Sequence, residues 1–213
     1  MKAILLVLLV ALIPGAAVTD PHSGVASAQA KQSSQAKPKA SLKIPDATVY
    51  DQNGNKLKFN TDLVKGKTVA INFIFTTCTN ICPPLTATFR RVQQELGDRV
   101  GQDVQLISVS VDPTTDVPER LKAYADKFKA GPGWTFVTGD KAEIDSILKA
   151  LDVFVANKND HTPMVLIGNE ATDNWTRAYG LSPPARLAEL IKAAAKSPTS
   201  NVQRPTSVSG GFQ

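Results

Sequence analysis

Residues 69–75 read Val-Ala-Ile-Asn-Phe-Ile-Phe, a nearly continuous apolar run rich in β-branched and aromatic side chains. That is the pattern of a strand covered on both faces of a sheet. Residues 104–111, Val-Gln-Leu-Ile-Ser-Val-Ser-Val, predict a second strong strand, ended by Asp112-Pro113. Between them Leu85, Phe89, Val92 and Leu96 recur at helical spacing behind Pro83 and Pro84, which can open a helix but not continue one, and Gly97 stops it. Asp116 and Glu119, with Pro118 between, predict a capping box for a helix carrying Leu121, Tyr124, Ala125 and Phe128, ended by Gly131-Pro132-Gly133. Residues 134–137 predict a short strand, and Asp140 with Glu143 a second capping box, opening a helix through Ile144, Ile147, Leu148 and Leu151. The loop 160–163 feeds an apolar strand at 164–167, residues 174–179 form its antiparallel neighbour, and Ser182-Pro183-Pro184 caps a last helix with Leu187, Leu190 and Ile191 on its buried side. Upstream, 48–50 and 56–59 flank Asn53-Gly54, a hairpin signal because both residues tolerate positive φ. Alternating strands and helices predict an α/β fold with a largely parallel sheet covered on both faces.

The ends read differently. Met1 and Lys2 precede an apolar segment, 3–13, followed by Pro14 and the small residues Gly15, Ala16 and Ala17. This is a secretory signal pattern over 1–17, shorter than the roughly 18 residues of a spanning helix. Cleavage after the small residues is expected, the alternative being retention as a membrane anchor. No cysteine follows the segment, which argues against a lipid anchor. Residues 18–41 are rich in Ala, Ser, Gln, Lys and Pro and are expected to form a flexible tether, and 197–213 a disordered tail, since neither can bury enough apolar surface to order itself. One domain is expected over 42–196.

The formal charge is +5. The basic residues are scattered, with Lys31, Lys37, Lys39 and Lys43 in or beside the tether, and no basic stripe with interleaved aromatics appears. Nucleic acid is therefore not an expected partner.

The two cysteines of the chain, Cys78 and Cys82, stand where the first buried strand gives way to a helix. Cys82 falls at the predicted helix N-terminus, where free N–H groups and the dipole favour a thiolate. A structural disulfide is the plain reading for an exported protein, but a bond closing so short a loop constrains little of the unfolded chain. Of the two histidines, His22 lies in the leading segment, and His161 stands in the loop before a later strand. Two thiolates and an imidazole form a soft donor set suited to Cu(I) and adaptable to Cu(II) with a further ligand. Structural zinc sites usually need a fourth ligand, and none is offered.

Strand, Cys-bearing helix, strand, helix, then two strands and a helix resembles the thioredoxin-like order, with a central mixed sheet flanked by helices, an N-terminal β-hairpin and one inserted strand–helix pair. In such a fold the loop bearing His161 packs beside the Cys loop. More specifically, the chain resembles the Sco/SenC family of thioredoxin-like copper proteins that serve cytochrome c oxidase assembly. The resemblance rests on Cys78-x-x-x-Cys82-Pro83 after a buried strand, on residues 107–113 continuing to Asp116 and Pro118, and on Asp160-His161 before the strand 164–167. It implies that Cys78, Cys82 and His161 are copper ligands. It further implies delivery of copper to a cytochrome c oxidase copper-site subunit or another copper chaperone, in the periplasm or on the outer face of the inner membrane; a membrane tether through the N-terminal segment is the alternative to its cleavage.

Two features depart from the family pattern: Thr79-Asn80 stands where Pro-Asp is frequent, and Pro163 follows His161 by two. Thr-Pro before this strand is the thioredoxin and peroxiredoxin arrangement, with a cis proline against the redox cysteines, so Thr162-Pro163 is expected to be cis. A second function follows, a thiol-disulfide oxidoreductase cycling Cys78 and Cys82, supplied by a thioredoxin-like reductant and acting on the cysteines of the oxidase copper site. A peroxidase fits less well, because its Thr-x-x-Cys loop is only approximated before Cys78.

Overall fold

The computed structural model describes residues 42–196; the expected leader, tether and tail (1–17, 18–41 and 197–213) lie outside the described residues. The elements in order are β1 (Thr48–Asp51), β2 (Lys56–Lys58), β3 (Thr68–Ile74), α1 (Cys82–Leu96), β4 (Val104–Ser110), α2 (Pro118–Lys127), β5 (Trp134–Thr138), α3 (Lys141–Ala150), β6 (Met164–Asn169), β7 (Asn174–Tyr179) and α4 (Pro184–Ala195). Seven strands form one sheet in the order β2-β1-β5-β4-β3-β6-β7. Only the central β3, β4 and β5 run parallel, while β1 and β2 on one flank and β6 and β7 on the other are antiparallel. The largely parallel sheet expected from the alternation is thus a mixed one. Short hairpins reverse the chain in the β1–β2 and β6–β7 pairs, and the outer strands also meet the central three antiparallel, β1 on β5 and β6 on β3.

All seven residues of β3 and of β4 are buried, as their apolar runs require. Alternate side chains divide between two cores. Ala70 and Ile74 face Phe89 of α1, Leu121 of α2 and Leu187 of α4 on one side, while Val69, Ile71 and Phe73 join Phe59, Ile144 and Leu148 on the other. Each of the larger side chains among these contributes about 1.5–3 kcal/mol by leaving water. A polar chain crosses the middle of the sheet: Trp134 Nε1 donates to Ser108 Oγ at 2.9 Å and Ser108 Oγ donates to Asn72 Oδ1 at 2.6 Å.

The hairpin turn forms as expected, with Gly54 at φ 81° and the Asp51 carboxylate accepting from the backbone of Asn53 and Asn55 at 2.8 Å. Phe59, expected at the end of β2, instead opens a single wide helical turn, Phe59–Val64, that buries its ring. The two capping boxes do not form. Asp140 makes no side-chain cap, and Glu143 Oε2 accepts from the Thr48 backbone at 3.3 Å, tying α3 to β1. The N-cap of α2 is Val117, and Asp116 bonds elsewhere. In both cases a long-range donor outcompetes the local one.

The register positions the site. β3 runs parallel to β4 and antiparallel to β6, so the end of β3, the end of β4 and the start of β6 meet at one edge of the layer. The segments leaving or entering there carry Cys78, Asp112 and His161.

Candidate metal and thiol site

Cys82 is the first residue of α1, its N-cap being Ile81, and two prolines follow in the first turn. Its side chain turns into the core and is fully buried. The loop before it folds back, so that Cys82 N donates to Cys78 Sγ at 3.4 Å. Both cysteines are free thiols; Cys78 is half-buried. Burial acts to raise the Cys78 pKa, but the Cys82 thiol and the backbone amides of Cys82, Asn80 and Ile81 outweigh it and hold the thiol below its usual range. Cys82 is pushed up to about 12, by burial first and then by donating to Cys78. The sequence expectation of a stabilised thiolate at Cys82 is therefore corrected. The helix N-terminus serves the sulfur four residues upstream, because the first helical side chain points into the core and cannot reach its own N–H groups.

His161 is buried, with 7% of its surface exposed, and its ring meets Phe75 edge-on at 5.7 Å between centroids. Phe75 also accepts the Cys78 N–H at its carbonyl, 3.1 Å away, and so touches both halves of the site. His161 Nδ1 lies 2.7 Å from Lys158 O. A carbonyl can only accept, so Nδ1 carries the proton and Nε2 the lone pair in the neutral ring. That Nε2 is buried without a partner. Lys158 in turn binds Asp112 through its ammonium group, which also lies 5.3 Å above the Phe75 ring.

Cys78, Cys82 and His161 therefore share one end of the sheet. They are not drawn into a coordination cluster: no group of three His, Cys, Asp or Glu side chains with metal-holding geometry occurs among the described residues. The donor set nevertheless fits a soft metal, with one activated thiol, one buried thiol and an imidazole lone pair left unpartnered. The Thr162–Pro163 bond, expected cis, is trans, and no cis peptide bond occurs among the described residues. His161 is already extended at φ −64° and ψ 133°, and Pro163 O accepts the Gly180 N–H at 2.8 Å. The chain thus enters β6 without needing to reverse.

A family model described as SCO1/SenC matches residues 36–196. The chain belongs to the SCO1/SenC family. Among curated relatives, the SCO1 protein homolog of Bacillus subtilis is 34% identical over 124 residues, 57% of this chain and 63% of that protein. The aligned stretch spans between 51% and 63% of the length of the leading curated relatives. Among solved structures, Bradyrhizobium japonicum ScoI with copper bound aligns with a TM-score of 0.59 at 26% identity, covering 71% of this chain and 99% of that one. BsSco, described with a disulfide switch and as a member of the Sco family of cytochrome c oxidase assembly proteins, aligns with a TM-score of 0.62 at 27% identity. That alignment covers 73% of this chain and 95% of BsSco. The fold is thioredoxin-like, as the element order predicts.

Several residues at this end of the SCO1/SenC sheet escape a sequence reading. Tyr124 reads only as helix stripe, yet its hydroxyl lies 3.0 Å from Thr86 Oγ1, which donates to Cys82 O at 2.8 Å. Burial, only partly relieved by Thr86, pushes Tyr124 up to about 12. Lys158 carries no motif, and only its distance to Asp112 in space reveals it. Thr76 precedes the Cys block and Ser110 lies within the block 107–113, but their shared partner, Asp116, is a tertiary fact.

Proposed function

We propose that this chain binds copper through the thiols of Cys78 and Cys82 and the imidazole of His161, and passes it to the copper site of a cytochrome c oxidase subunit or to another copper chaperone. The observation that carries the reading is the His161 tautomer. With Nδ1 held by Lys158 O, the lone pair of Nε2 sits buried and unpartnered at the same sheet end as two free thiols. Copper is the cargo. Half-buried Cys78, the more acidic thiol, meets the ion first; Cys82, held protonated mainly by burial, releases its proton to solvent as its sulfur takes the metal, whose positive charge offsets the cost of a buried thiolate. His161 then closes the set from the neighbouring loop. Family membership and the copper-bound ScoI relative support the choice of metal. The N-terminal signal pattern supports export to the periplasm or the outer face of the inner membrane, with segment 1–41 as leader and tether. Anaerobic titration of the reduced protein with Cu(I), followed by metal counting, tests the reading: about one copper per chain is expected, and none refutes it.

A second reading has its own observation. An activated, half-buried thiol beside a buried, protonated one is the division of labour of a dithiol reductant, in which the first attacks and the second resolves. In that role Cys78 and Cys82 reduce the cysteines of the acceptor's copper site before the metal arrives, and a thioredoxin-like reductant restores them. The disulfide switch described for BsSco is consistent with it.

A further inference from the structure

Asp116 is 0% exposed, and among the described residues no ion pair includes it. Burying an unpaired carboxylate is strongly unfavourable unless hydrogen bonds satisfy it. Here they do, and all come from two residues. Thr76 N lies 3.2 and 3.1 Å from the two carboxylate oxygens, Thr76 Oγ1 donates at 2.6 Å, and Ser110 Oγ donates at 2.7 Å. Arg120 reaches only as far as the Thr76 hydroxyl, at 3.2 Å, so it fixes the direction in which that hydroxyl donates. Every neighbour is a donor, so a neutral amide at this position would set its NH2 against another donor. None of the bonds caps α2, whose N-cap is Val117. The carboxylate instead fastens the first residues after β3, two positions before Cys78, to the last residue of β4.

We propose that Asp116 is a positioning residue for the thiol pair: by clamping Thr76 to Ser110 it holds the Cys loop in the arrangement where Cys82 N meets Cys78 Sγ, and so favours the dithiol over the disulfide. Forming the S–S bond brings the sulfurs to about 2.05 Å, and Cys78 must then leave the N–H groups that it accepts. A loop anchored at Thr76 resists that movement. The inference rests on the reading that Cys78 and Cys82 are the functional pair, and it is tested without metal so that the two stand or fall separately.

The reaction is exchange with glutathione disulfide. The S–S bond of glutathione breaks and one forms between Cys78 and Cys82; two electrons pass from the protein thiols to glutathione, and the two thiol protons end on two reduced glutathiones. Equilibrium constants are measured for the metal-free wild type, Asp116→Asn, Thr76→Val and the double variant, with circular dichroism and melting to verify folding. Each single substitution is expected to move the constant toward the disulfide by at least about tenfold, roughly 30 mV for a two-electron couple. The double variant should move no further than the larger single, because both remove one clamp. A folded Asp116→Asn with an unchanged constant, even if its melting temperature falls, overturns the proposal. So does a shift toward the dithiol, which would show the charge acting directly on the sulfurs, or an additive double variant. Should Asp116→Asn fail to fold, Thr76→Val, which keeps the carboxylate and the side-chain volume, decides alone by the same tenfold criterion. Copper counting on the wild type is scored apart: no copper with a shifted constant keeps the clamp and removes the proposed function.

Discussion

The backbone N–H of Cys82 donates to the sulfur of Cys78 at 3.4 Å, so one thiol of the pair caps the helix that the other begins. The two sulfurs are made unequal by that single relationship. At about pH 8, iodoacetamide should modify Cys78 first, with Cys82 slower by roughly tenfold or more. Equal rates, resolved by peptide mapping, would remove the asymmetry on which both functional readings draw.

The same asymmetry sets an alkaline limit. Cys82 rises from 9.0 to about 12 in the fold and Tyr124 from 10.0 to about 12. For an acid whose folded pKa is raised, the stabilising contribution is present below the unfolded pKa and is lost as pH rises toward the folded one. Cys78, lowered in the fold, works in the opposite sense and offsets part of the loss. Urea denaturation of the reduced, metal-free protein should therefore show stability falling between about pH 9 and about pH 12. Cys82→Ala should show a shallower fall, and an identical slope in both would contradict the burial of a protonated Cys82.

Replacing either thiol should abolish tight copper binding, because each supplies a large share of a three-donor site. His161→Ala should weaken binding by at least about tenfold, roughly 1.4 kcal/mol. Competition with a Cu(I) chelator reads all three variants, and unchanged affinity in His161→Ala would leave the ring a packing partner of Phe75 and nothing more.

Lys158 joins the His161 loop to the end of β4 through Asp112, while its carbonyl fixes the His161 tautomer. Lys158→Ala should leave the fold intact, costing about 0.5–1 kcal/mol as expected of a partly exposed pair, and should weaken copper binding several-fold. Burial raises the Asp112 pKa, but donors led by Lys158 more than offset it and hold the carboxyl below its usual 3.8. The link is thus present above that value and lost as pH falls through the lowered one. Hydrogen exchange across 157–163 should quicken in that acid range in the wild type and should already be fast near neutrality in the variant.

Gly168 lies opposite Trp175 in the β6–β7 register, and a Cβ placed there would meet the indole at 2.1 Å. Gly168→Ala should cost about 1–3 kcal/mol, the usual effect of overpacking, and should fray β7. Chemical denaturation that finds the variant as stable as the wild type would show that the indole can move aside.

The strands and helices were legible because their signals are local: two apolar runs, prolines behind Cys82, glycines after helices. That the loops carrying Cys78 and His161 leave one end of the sheet was legible too, since element order dictates which loops meet; whether the three side chains gather into one cluster was not, and they do not. What escaped was direction. No spacing rule says that Cys82 turns inward while Cys78 folds back onto the amides. Asp116 and Glu119 satisfy a capping pattern, yet Thr76, 40 positions away in sequence, takes the carboxylate. Thr162-Pro163 carries the local signature of a cis turn, but the Gly180 N–H on Pro163 O holds an extended entry to β6. In each case a partner distant in sequence decides between two locally acceptable conformations.

The buried chain from Trp134 through Ser108 to Asn72 acts as a vernier stop on the sheet. Slipping β3 against β4, or β4 against β5, by two residues would keep every apolar face inward and satisfy the ladders as well as before. The first slip would part the Ser108 hydroxyl from Asn72 Oδ1 and the second the Trp134 indole N–H from Ser108 Oγ, leaving the parted groups without partners in a dry interior, at about 1–3 kcal/mol each. Three strands are thereby held to one alignment at their middle, and the loops that leave their ends inherit it. The placement of the loops that carry the thiols and the imidazole is thus gauged partly from inside the sheet, by residues of the strands themselves.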